Sequence, residues 1–174
     1  MYFMFRTYAQ RGVYRRRMMS NTPLKIIAVG NSFFGDDGIG EAVLHALRDI
    51  PEMKDIPLID AATDAIGLID HFTNTDHVIL IDAAQMGANP GTVKVMNEAK
   101  ARLAIQQDHI SLHGISIADT IELARKIDSL PKKITIIGVE PEQLIINTGL
   151  SKYVQKAVPI VISNILTLYN NQFL

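Results

Sequence analysis

Two kinds of hydrophobic pattern alternate along this 174-residue chain. Short, nearly continuous apolar runs at Lys25 to Gly30, Ile56 to Ile59, His77 to Ile81, Thr92 to Met96 and Ile134 to Val139 predict strands, and the unbroken first run fits an inner strand covered on both faces. Between them the spacing changes to that of helices. Ile39, Val43, Leu44 and Leu47 share one helical face up to about Ile50, where Pro51 stops the run. Ile66 to Phe72 predicts a short helix, and Ile117, Ile121, Leu123, Ala124, Ile127 and Leu130 mark an amphipathic one from Ile115 to Leu130. Ser151 is placed to cap a last helix reaching about Tyr169. Asn97 to Gln107 fits neither pattern well, and Asp108 to Gly114 is irregular. The alternation predicts a three-layer α/β/α sandwich around a mixed, mostly parallel sheet of about five strands. The strand at Thr92 follows Asp82 too closely for a helical crossover, so it should run antiparallel to the strand before it.

Composition narrows the class. The length suits one domain, and no apolar run approaches the roughly 18 residues that span a bilayer. A net charge of −1 argues against a nucleic-acid surface, and the absence of cysteine removes disulfides, thiolate nucleophiles and cysteine metal sites. The charge is uneven. Residues 1–21 hold five arginines and no acid, which leaves 12 basic against 18 acidic residues in the remainder. This basic N-terminal extension reads as a disordered tail or a mis-assigned start, since Met18 and Met19 directly precede the domain. A targeting peptide or a membrane-surface segment is the alternative. Residues 22–174 form the expected single domain.

Candidate chemistry gathers where strands end. IIAVGNSFFGDDGIGEAV, from Ile26 to Val43, reads as strand, loop and helix, and loops at the carboxyl ends of such strands are where α/β sheets bind ligands. This loop carries Asp36 and Asp37; the next two strands end at Asp60 and Asp82. In neighbouring parallel strands these carboxylates would converge, and convergent carboxylates repel one another unless a cation neutralises them. His113, before the helix at Ile115, is the histidine best placed to join them and to shift the preference toward transition metals. His45, His71, His77 and His109 read as surface residues. Asp36 or Asp37 could instead cap the following helix, and Asp60 and Asp82 could simply end their strands. A dinucleotide site fits poorly, because no glycine returns between Gly30 and Gly35 and a pyrophosphate would meet two carboxylates. The chain also lacks a P-loop, an H-E-x-x-H helix and a G-x-S-x-G elbow.

At these residues the chain resembles the nickel-iron hydrogenase maturation endopeptidases. GNSFFGDDGIG is similar to the family's opening G-N-x-x-x-G-D-[DE]-G-x-G motif, ILIDAAQMGANPGTV to its second block, SLHGISIAD to its third and IIGVEPE to its fourth, in order from about Lys25 to Ala157. The form is closest to the branch serving formate-hydrogenlyase-type enzymes. The resemblance implies an endopeptidase that removes the C-terminal extension of the hydrogenase large-subunit precursor after nickel insertion. It implies Asp37, Asp82 and His113 as the metal-contacting and catalytic set, with Asp36 a structural partner or helix cap and Asp60 a second-tier residue near the site. The nickel would be carried by the substrate, with no stable organic cofactor; it would either polarise the scissile carbonyl or activate water, or position the peptide while a carboxylate acts as base, and the second is the preferred reading. The resemblance further implies a cytoplasmic protein, expected to be a monomer, with the large-subunit precursor as partner and neither nucleic acid nor a membrane span. A non-catalytic maturation chaperone that binds nickel or the large subunit is the alternative, and a nucleotide-binding oxidoreductase is a third.

Overall fold

Residues 22–97, 99 and 117–173 are described by a computed structural model. The extension at 1–21, His109, His113 and most of the ambiguous stretch after Asn97 lie outside the described residues. Each strand keeps its apolar kernel but shifts at its ends. The strands are β1 (Thr22–Ala28), β2 (Leu58–Asp60), β3 (Thr75–Ala83), β4 (Val93–Asn97) and β5 (Lys133–Val139). The helices are α1 (Ile39–Leu47), α2 (Leu68–Phe72), α3 (Ile117–Lys126) and α4 (Lys152–Phe173). Ser151 caps α4 as expected, its Oγ accepting from Val154 N at 3.3 Å, and the helix continues through Pro159 and beyond Tyr169.

Among the described residues the five strands form one sheet in the order β2-β1-β3-β5-β4. β1 pairs in parallel with β2 and β3, and β3 in parallel with β5. The strand after Asp82 is antiparallel, as its short connection requires, but its partner is β5, with Val93 opposite Val139. Both edges of β3 are already occupied by β1 and β5, so β4 is left the outer edge.

The apolar strands divide their side chains between two cores by the two-residue alternation of a pleated sheet. Leu24, Ile26, Ala28, Ile79 and Ile81 pack with Val43, Leu47, Val154 and Val161 of α1 and α4. Ile27, Val78, Leu80 and Ile136 pack on the other face with Leu68, Phe72, Ile121 and Ala124 of α2 and α3. Helices therefore cover both faces, which gives the expected three layers. Gly40 lets the first turn of α1 press onto the sheet, because a Cβ there would lie 2.8 Å from Ala28 Cβ and 3.3 Å from Ile81 O. That contact seats the helix start over the carboxyl ends of β1 and β3.

His77 is not a surface residue. It is buried in β3, its Nε2 within 2.9 Å of Thr135 Oγ1 and its Nδ1 within 2.6 Å of Gln172 Oε1, and so links the sheet to the end of α4. Turn-flanking position suggested exposure, but α4 is long enough to return over the start of β3. Burial holds the imidazole below its ordinary value of 6.5; the Gln172 hydrogen bond opposes this and Lys133 reinforces it. The folded state thus binds fewer protons than the unfolded state just below pH 6.5, and stability is lost as pH falls through that range. Between pH 7.5 and pH 5 the melting temperature of the wild type should fall relative to that of His77→Gln, whichever way the other titrating groups move both proteins. Equal changes in the two proteins would contradict this role.

Candidate functional site

The site is built on the connection from β1 to α1. Gly30, two residues past the end of β1, has φ +125°, a conformation that favours glycine, and any Cβ there would collide with the main-chain oxygen of Asp37. Its N–H donates to Ala62 O at 2.8 Å, which ties this loop to the one after β2. Asn31 Oδ1 accepts from Phe33 N at 3.0 Å and Asn31 O from Phe34 N at 2.9 Å, turning the chain into a single 3-10 turn, Gly35–Gly38. All residues of that turn are buried, both aspartates included.

The two aspartates have different tasks. Asp36 is fully buried, and its carboxylate receives three backbone N–H groups: Glu142 at 2.8 Å and Gln143 at 2.9 Å on Oδ2, and Ser151 at 2.6 Å on Oδ1. Its own N–H donates to Gln143 O at 3.1 Å. It caps no helix, since α1 has Gly38 at its N-cap and no side-chain bond there. Asp36 is instead the clamp that fastens the β5–α4 loop to the β1–α1 loop. Asp37 turns the other way. Its Oδ2 accepts from Asn31 N at 2.6 Å, and it lines a cavity of about 150 Å³ together with Asp60 and Glu41.

Asp82 lies inside β3, paired with Gly138 of β5, rather than in the loop beyond the strand. Its Oδ1 is buried with no hydrogen-bond partner among the described residues. Burial pushes the carboxyl up to about 8, the charge of Asp37 adds in the same direction, and a backbone hydrogen bond from Ala83 opposes both. The structure therefore brings Asp37 and Asp82 within electrostatic reach of one another. An orphaned carboxylate oxygen beside a second carboxylate suits a divalent cation, which would neutralise both. His113, the third expected ligand, lies outside the described residues, and among the described residues no group of three such ligands forms. Asp60 is exposed at the cavity, where its Oδ1 accepts from Ala62 N at 2.9 Å.

Two acids were not singled out from the pattern. Glu41 reaches the cavity from the first turn of α1; the available signal was its spacing of four residues from Asp37 along one helical run. Glu140, quoted above only as part of a motif, is buried and accepts from Met86 N at 2.6 Å and Ala88 N at 3.1 Å, so it holds the loop that leaves Asp82.

The family model described as Hydrogenase maturation protease matches residues 42–168, most of the chain. The chain belongs to the hydrogenase maturation protease family. The match begins just after the opening GNSFFGDDGIG motif, so membership rests on the rest of the domain independently of Asp36 and Asp37. The hydrogenase 2 maturation protease of Escherichia coli strain K12 is 29% identical over 143 residues, which cover 81% of this chain and 87% of that protein. The hydrogenase expression/formation protein HoxM of Azotobacter vinelandii is 29% identical over 127 residues, or 72% of this chain, and the chain spans only 61% of its length. The solved hydrogenase maturating endopeptidase HybD from E. coli shares the fold with a TM-score of 0.75 at 24% identity, over 87% of this chain and 94% of that one.

Two measurements check the separate tasks of the aspartates. Asp36→Ala should destabilise the protein by about 3 kcal/mol, because it removes the charged acceptor of three backbone donors, the Ser151 one buried, and releases the β5–α4 loop. Denaturant unfolding reads this, and a loss below about 1 kcal/mol would remove the clamp. Asp82 has the opposite sign. Its folded pKa lies above the unfolded one, so the native state holds an extra proton and stability falls as pH rises toward 8. From pH 6 to 8 the wild type should lose stability relative to Asp82→Asn, by at most about 1.4 kcal/mol per pH unit. Parallel stability profiles would refute the raised carboxyl.

Proposed function

We propose that this protein is an endopeptidase that removes the C-terminal extension of a nickel-iron hydrogenase large-subunit precursor after nickel insertion, with residues 22–174 as its single peptidase domain. Family membership supports the reaction class. The buried Asp82 carboxylate oxygen left without a partner in β3, with the buried Asp37 in the neighbouring β1–α1 loop, is the observation that carries the site. Asp37, Asp82 and His113 are the residues assigned to contact the nickel, which is part of the substrate.

Physical logic supports making cleavage conditional on that nickel. Without a cation, the Asp37–Asp82 pair is a repulsive, partly protonated element. When nickel arrives in the precursor, its charge displaces the proton from Asp82 and turns repulsion into attraction. The binding energy contributed by these carboxylates then exists only for a loaded precursor. The peptide is positioned by its metal, and a carboxylate freed of its proton assists attack on the scissile bond as general base. No organic cofactor takes part. We assign the protein to the cytoplasm and to a monomeric state; among the described residues no helix is long and apolar enough to cross a membrane.

The test is intact-mass analysis of large-subunit precursors mixed with the protein, with and without nickel. The extension should be lost only from the nickel-loaded precursor. Asp37→Asn, Asp82→Asn and His113→Ala should each keep the fold and slow processing by about a hundredfold or more. A precursor that binds the protein but keeps its full mass would replace the peptidase reading with that of a maturation chaperone. Normal cleavage by all three variants would remove the assigned residues.

A further inference from the structure

Four large apolar side chains stand in solvent beside the acid-lined cavity. Phe33 is 67% exposed and Phe34 40% in the β1–α1 loop, while Ile145 is 56% and Ile146 58% exposed in the β5–α4 loop. These pairs are more than a hundred residues apart in sequence, yet their backbones touch. Phe33 O accepts from Asn147 N at 2.8 Å, and a Cβ on Gly35 would lie 3.3 Å from Ile145 O. The Asp36 carboxylate locks the same two loops together through Glu142, Gln143 and Ser151. The apolar pairs thus form one rim on a fixed backbone, so presenting them costs little ordering when something binds.

The rim is continuous with the site, because Phe33 itself lines the cavity that contains Asp37. A polypeptide seated in that cavity to deliver a cation to Asp37 has Phe33 in its wall. Contiguous exposed apolar surface bordered by polar residues marks protein contact on soluble proteins. The acids beyond the rim, Asp37, Glu41 and Asp60, suit the cationic end of that partner and disfavour an anionic one. We propose that Phe33, Phe34, Ile145 and Ile146 form the docking rim for apolar side chains of the substrate polypeptide that flank its bound metal. This inference rests on the peptidase reading, and it adds a source of affinity that does not depend on nickel.

The rim and the acids then divide substrate recognition. Apolar contact supplies binding common to loaded and empty precursors, and the carboxylates supply the part conditional on the metal. The experiment compares wild type, Ile145→Ser/Ile146→Ser and Ile160→Ser, the last an exposed apolar residue of α4 away from the rim. Processing rate is measured against concentration of nickel-loaded precursor, direct binding of nickel-free precursor in parallel, and binding of Ni²⁺ alone as a control. The double variant should raise KM about tenfold, leave kcat within about twofold and weaken nickel-free binding about tenfold. It should keep the wild-type melting temperature and Ni²⁺ affinity, and Ile160→Ser should match wild type throughout.

Cleavage by the wild type with an unchanged KM and unchanged nickel-free binding in the double variant would overturn the rim while leaving the peptidase reading intact. Binding without cleavage, weakened by the double variant, would support the rim and overturn the peptidase reading. A wild type that neither binds nor cleaves any precursor overturns both. If the double variant fails to fold, Phe34→Ser carries the same test from the other loop, with the same expected and contrary results.

Discussion

A carboxylate with no water around it must have its charge answered from within the protein, and Asp36 is answered by the backbone N–H groups of Glu142, Gln143 and Ser151. This constraint shapes the whole carboxyl edge of the sheet. It requires the β5–α4 loop to lie against the β1–α1 loop, sets the start of α4 at Ser151, and fixes the turn from which Asp37 projects. Glu140 repeats the device on a smaller scale, holding the loop that follows Asp82 by its Met86 and Ala88 amides. Buried acids here do the work that a helix or a disulfide does elsewhere: they fasten loops that have no other regular partner.

The same edge keeps another pair of acids under strain. Asp82 sits in a central strand between β1 and β5, where its carboxyl is buried and faces the charge of Asp37. Such an arrangement is unfavourable for an isolated protein and favourable for one that meets a cation. Gly30 and Gly40 make it possible. One allows the chain to pass against the Asp37 backbone, and the other lets α1 rest directly on Ala28 and the carbonyl of Ile81.

Local pattern made much of this legible. The apolar runs gave the strands, the helical spacing of Ile39, Val43, Leu44 and Leu47 gave α1, and Ser151 marked the start of α4. Strand ends and their loops face ligands in α/β sheets, which made Asp36, Asp37, Asp60 and Asp82 candidates together, and the family resemblance singled out Asp37 and Asp82 among them. Other features were not readable, for one reason: they depend on partners far away in the chain. Asp36 was expected to be a structural partner or a helix cap, and its actual partners were not readable because nothing nearby announces amides more than a hundred residues downstream. His77 looked exposed, because its partners Thr135 and Gln172 come from β5 and the end of α4. β4 could be oriented from its short connection, but its neighbour depended on which edges of β3 were free.

The sequence by itself determined the layer architecture, the family and the candidate acids at the strand ends, since hydrophobic period, glycine placement and short motifs act through neighbours along the chain. Tertiary structure alone decided which buried acid binds backbone and which faces a cavity, and which apolar residues of two distant loops share one rim. Those outcomes depend on burial and on the direction of hydrogen bonds, and both are set only when remote segments meet.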